Sequence, residues 1–164
     1  MKLEEYFLNP GELIVSAKPI VVRTVLGSCA SVTIYDKEKK IGGICHYLLP
    51  QAPGREQLSS KYGDVAIKLM LHRFLKQYKC KVEDLVAMII GGAFIVFDEN
   101  EIFFIGDRNV QVAVDVLKEY KIKVRQMHTG GEQGRKLWYN TGTNELIVKT
   151  MEKISIDDLY NPII

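Results

Sequence analysis

The chain alternates between stretches with a two-residue rhythm and stretches with a helical one. Ile20 to Leu26 is apolar and β-branched apart from Arg23 and Thr24, the signature of a strand. Gly27, Ser28 and Cys29 interrupt it. From Ala30 to Tyr35 the residues Ala30, Val32 and Ile34 then alternate with small or polar ones, as in a strand with one buried face. Asp36 to Lys40 is a polar break, and its three lysines read as a solvated turn. Ile41 to Leu49 returns as a strand that stops at Pro50. Gln51 to Ser60 reads as an exposed loop.

Val65, Ala66, Leu69, Met70, Phe74 and Leu75 recur at helical spacing and predict a helix over Lys61 to Tyr78, capped by Ser59 or Ser60. Asn109 to Tyr120 predicts a second, through Val110, Ala113, Val114 and Leu117. Leu85 to Ile90, Phe94 to Phe97, Glu101 to Ile105, Val124 to His128, Lys136 to Asn140 and Glu145 to Lys149 complete the strands. No linker or repeat divides the chain, so residues 1–164 are expected to form one domain. Two helices over a largely antiparallel sheet predict a mixed α/β layered sandwich.

Composition narrows the function. Lys and Arg total 22 against 20 acidic residues, a formal charge of +2, which gives no reason to expect nucleic acid or an anionic membrane as a partner. No segment approaches the roughly 18 apolar residues of a membrane span. The opening residues lack the pattern of a secretory signal, so a cytoplasmic location is expected, without membrane insertion. Three cysteines without a CxxC pair match neither a disulfide framework nor a zinc knuckle, so no metal or cofactor is expected.

The hairpin carries the candidate chemistry. Pairing Tyr35 with Lys40 around the turn sets Cys29 directly opposite His46, close enough for thiol and imidazole to meet. In that register Ala30, Val32, Ile34, Ile41, Gly43, Cys45 and Tyr47 form the core face, and Cys29, Ser31, Thr33, His46 and Leu48 a more polar one. Slippage by one residue would send His46 into the core. A thiolate is a nucleophile, and a neighbouring imidazole can carry its proton. Gly27 permits close backbone approach, and N–H groups around Ser28 and Cys29 can bind an oxyanion. A Cys–His pair across a hairpin can equally be inert. Cys45 reads as a buried structural thiol. His72 reads as a surface residue, and His128 as a weaker alternative base.

With these residues in view, the sequence resembles CheD, the chemoreceptor glutamine deamidase family. The resemblance rests on Leu26-Gly27-Ser28-Cys29, Gly42-Gly43, His46, Leu49-Pro50, Lys61-Tyr62 with Asp64 and Ala66, and Gly91-Gly92-Ala93. Ile105-Gly106 with Arg108-Asn109, Gly130-Gly131, Gly134-Arg135 and Thr141-Gly142 follow in order. It implies a three-layer sandwich and a reaction in which Cys29 attacks a receptor glutamine carboxamide while His46 moves the proton. Methyl-accepting chemotaxis receptors are the implied substrates, with some ester hydrolysis by the same route. The family threonine that orients the histidine lies six residues before the cysteine, where this chain has Arg23. Thr24 shifted into place by a bulge, a backbone carbonyl that orients His46, or reduced activity are the alternatives. The resemblance also implies a second role, docking to a CheC-type phosphatase, and a monomer.

Overall fold

The computed structural model describes residues 2–54, 58–95 and 104–151. The strands are β1 (Glu4–Phe7), β2 (Leu13–Ser16), β3 (Ile20–Leu26), β4 (Ala30–Asp36), β5 (Ile41–Tyr47), β6 (Leu85–Gly91), β7 (Lys123–Thr129), β8 (Gly134–Asn140) and β9 (Leu146–Met151). The α-helices are α1 (Gly63–His72) and α2 (Ile105–Glu119). One sheet has the order β1-β3-β8-β9 and the other β2-β5-β4-β6-β7. Pairing is antiparallel except for β1 with β3 and β6 with β7.

Two apolar clusters make three layers. On one side of the five-stranded sheet, Val32, Ile34, Cys45, Tyr47 and Ile89 pack against Ile67, Met70 and Phe74, and against Ala113 and Leu117 of α2. On its other side, Ile44, Met88 and Ile90 meet Val22, Leu26, Leu137 and Tyr139 of the four-stranded sheet. The expected sandwich is therefore present, with its five-stranded sheet in the middle.

That middle position corrects the one-buried-face reading of the hairpin. Every residue of β4 and β5 is buried, and Ser31, Thr33 and His46 lie at the seam between the sheets rather than toward solvent. The register also differs. Asp36 pairs with Ile41 around the four-residue turn, and Ser31, not Cys29, stands opposite His46. The turn sets this: Glu38 N–H and Lys39 N–H both donate to Asp36 Oδ1 at 2.8 Å, and Lys40 closes it at φ 56°. The offset is two residues, so each side chain keeps its predicted face.

Helix α1 is entered at Tyr62 without a side-chain cap, so neither Ser59 nor Ser60 plays that part. The predicted helix to Tyr78 ends as a π-helical turn over Arg73–Gln77. Phe94 and Ile95 are not in a strand, and Ile105 opens α2. The remainder of those two expected strands, residues 96–103, lies outside the described residues. β1 and β2 were not anticipated, being four residues each and only partly buried.

Candidate active site

β3 and β4 belong to different sheets, and Gly27-Ser28-Cys29 is the whole connection between them. Cys29 therefore sits where the chain crosses from one layer to the next. It joins the apolar cluster of Leu26, Ile44 and Ile90 at the seam, the same side of the middle sheet as His46, and is 8% exposed. All three carbonyls of the crossing are held. Ala93 N–H donates to Gly27 O at 3.0 Å, Asn109 Nδ2 to Ser28 O at 2.9 Å, and Gly92 N–H to Cys29 O at 2.8 Å.

Of the groups considered for orienting His46, Thr24 is the side chain in contact with it. Ile20, Val22, Thr24 and Leu26 are the inward residues of β3, and Thr24 is 1% exposed. Its hydroxyl lies 2.8 Å from His46 Nδ1 and donates to Leu8 O at 2.8 Å. The pairing of β3 with β8 continues through Thr24 without a register shift, so no bulge is needed. Arg23 points the other way, with Nε 3.8 Å from a Glu5 carboxylate oxygen.

A hydroxyl has one proton to donate. With that proton directed to Leu8 O, Thr24 Oγ1 is an acceptor toward His46, and the ring carries its hydrogen on Nδ1. Nε2 is then the basic nitrogen, and it is buried without a hydrogen-bond partner among the described residues. Burial holds the imidazole down to about 4, the Leu8 carbonyl opposing only in part, so the ring is neutral near pH 7. Burial also pushes the Cys29 thiol up to about 11. Thiol and imidazole are thus both neutral near pH 7, and no hydrogen bond joins them.

The glycine and arginine residues behind the crossing form its seat. Gly91, at φ 105°, passes so close that a Cβ there would lie 2.4 Å from Cys29 O. Gly130 N–H donates to Gly91 O at 3.1 Å, and the buried Arg135 guanidinium reaches Gly130 O at 2.9 Å. Composition and periodicity gave no sign of these contacts. The Gly-Gly pairs and Asn109 were visible only as matches in the resemblance.

The other expected residues fall elsewhere. Cys45 is fully buried, with its thiol pushed up to about 12. His72 is exposed on α1. His128 lies 3.0 Å from Gln126 Oε1 on β7, the edge strand of the five-stranded sheet. Among the described residues no cluster of three or more side chains could hold a metal, and no helix is long and apolar enough to cross a membrane.

The three-layer sandwich thus holds the Thr24–His46 contact at the seam between its sheets, on the side of the middle sheet that also carries Cys29. The family model described as CheD chemotactic sensory transduction matches residues 48–150. The "Probable chemoreceptor glutamine deamidase CheD" of Sulfurimonas denitrificans is 33% identical over 154 residues, covering 93% of this chain and 98% of the relative. The "Chemoreceptor glutamine deamidase CheD" of Thermotoga maritima is 36% identical, covering 91% and 96%. The chain belongs to the CheD family. Among solved structures, the Bacillus licheniformis hypothetical protein YfiH is similar with a TM-score of 0.45 and 16% identity, over 71% of this chain and 49% of that one.

Proposed function

We propose that this chain is a cysteine-dependent deamidase that converts glutamine side chains of chemoreceptors to glutamate. The observation that carries this reading is the Thr24–His46 contact, which leaves Nε2 as a neutral base on the side of the middle sheet that also holds Cys29. Family membership supplies the substrate class. Cys29 Sγ attacks the side-chain carbonyl carbon as its proton passes to His46 Nε2, so no thiolate need accumulate against a thiol pKa of about 11. The oxyanion is taken up by the N–H groups of Ser28 and Cys29, whose carbonyls are turned into the protein.

His46 then returns the proton to the amide nitrogen, the C–N bond breaks, and ammonia leaves a γ-glutamyl thioester. Water adds next, giving its proton to Nε2. The C–S bond breaks as Nε2 passes that proton to the sulfur, restoring the Cys29 thiol and the neutral imidazole and releasing the new carboxyl, which ionises to glutamate. No metal or organic cofactor enters these steps. Exposed Leu49, Phe94 and Phe104 support a protein substrate, because they extend from the segments that hold the crossing. On this reading the enzyme works in the cytoplasm.

Incubating receptor fragment with wild type should raise the mass of a target peptide by about one unit per converted site, and Cys29→Ala should abolish this. Normal conversion by Cys29→Ala would overturn the reading. The same variant addresses docking to a CheC-type phosphatase, which requires no thiol. Retained capture of the phosphatase by Cys29→Ala would assign that role to the surface rather than to the sulfur.

A further inference from the structure

Asn109 is fully buried in the second turn of α2, where a polar side chain costs stability unless its groups are matched. Its Nδ2 has two hydrogens. One goes to Ser28 O at 2.9 Å and the other to Leu48 O at 3.0 Å. Ser28 immediately precedes the nucleophile, and Leu48 lies two residues beyond the base. One amide group thus ties the cysteine-bearing crossing to the histidine-bearing strand. The backbone of Asn109 is fixed in turn, because Tyr47 Oη donates to its carbonyl at 2.6 Å.

We propose that Asn109 is a positioning residue for the Cys29–His46 pair: its carboxamide sets the separation of thiol and imidazole by clamping Ser28 to Leu48. The proposal deepens the deamidase reading and rests on it for the reaction, but not for the geometry. The β4–β5 ladder pairs Ala30 with Tyr47 and Ser31 with His46, and Asn109 carries the link one step past its end, where the backbone bonds of the two segments run to other partners. Gly27 and Cys29 are held to Ala93 and Gly92, and Leu48 N–H donates to Lys61 O. Both donors of Asn109 are needed at once, so the amide cannot rotate. Oδ1 is left buried, without a hydrogen-bond partner among the described residues. A side chain that tolerates an unmatched oxygen in order to keep two donors aimed at two carbonyls is selected for the donors.

Asn109→Asp keeps the shape and replaces both donors with an oxygen facing two carbonyl oxygens. Asn109→Ser removes the reach without adding charge. The test is a double-mutant cycle with His46→Ala, read as the rate at which iodoacetamide alkylates Cys29 near pH 7.5, followed by peptide mass spectrometry on protein shown to be folded by thermal unfolding. Histidine-assisted alkylation should fall about tenfold or more in Asn109→Asp and somewhat less in Asn109→Ser. In the His46→Ala background the same substitutions should change the rate less than twofold, because no base remains to be positioned. Deamidation should show the loss in kcat with KM nearly unchanged, as for misplacement of a reacting group. Equal effects in both backgrounds would mean that Asn109 serves only the fold, and would overturn the proposal. If one variant does not fold, the other completes the cycle. Alkylation needs no receptor, so a wild type that never deamidates sinks the functional reading alone.

Discussion

Thr24 fixes which nitrogen of His46 is basic by aiming its single hydroxyl proton at Leu8 O and accepting from Nδ1. Thr24→Val keeps the volume and strands the Nδ1–H without an acceptor from that side chain. It should lower the deamidation rate about a hundredfold, by freeing the ring to turn and to change tautomer. It should also cost about 1–3 kcal/mol in urea unfolding, the range for leaving a buried donor unmatched. Thr24→Ser retains the oxygen and should recover most of the rate. Comparable activity in Thr24→Val and wild type would remove the threonine from the mechanism.

At the scale of elements, β6 is as much a part of the site as β3 or β5. Gly91 ends it in a left-handed conformation against Cys29 O, so Gly91→Ala adds both backbone strain and a clash. We expect a loss of about 2 kcal/mol or more and a steep fall in activity. Gly130→Ala also sits at positive φ, 79°, but its Cβ meets nothing within 4 Å. Its cost should be about 1 kcal/mol with activity largely kept, and chemical denaturation of the two variants would separate strain from crowding.

Strands β3 to β9 were legible because their side chains alternate or run apolar. The faces of the hairpin were legible too, because an even register offset leaves side-chain direction unchanged. The register was not, since it depends on Asp36 accepting from two turn N–H groups, a local geometry that composition does not encode. Counting back from Cys29 to find the histidine's partner pointed to Arg23. Alternation applies only within a strand, and Gly27-Ser28-Cys29 is not one. The seam was equally hidden: Ser31, Thr33 and His46 read as a polar, outward set, yet a second sheet covers them. That sheet includes β1, whose EEYF carries three exposed residues and no inward alternation to announce it.

For the whole molecule, burial of the site groups should shape stability against pH. His46 stays neutral in the fold down to about 4, whereas in the unfolded chain it takes up a proton near its ordinary 6.5. Stability is therefore full above about pH 6.5 and falls as the pH drops toward 4, by up to about 3 kcal/mol from this group. Cys29 keeps its proton to about 11 in the fold but loses it near 9 when unfolded, so stability also declines as pH rises through that interval. Urea midpoints at pH 5, 7.5 and 10 should peak at the middle value. A midpoint at pH 5 equal to that at 7.5 would argue that His46 is not buried as a neutral ring.

The three-residue passage between β3 and β4 has a consequence beyond holding a sulfur. With residues 17–19 between β2 and β3, it is one of two three-residue hinge lines joining the two leaves of the sandwich, and the threonine and the imidazole stand on opposite leaves. Assembly of the reactive trio is therefore the same event as closing the book. Were the leaves formed but not shut, Thr24 and His46 would stand apart, and the imidazole would lack the contact that sets its tautomer.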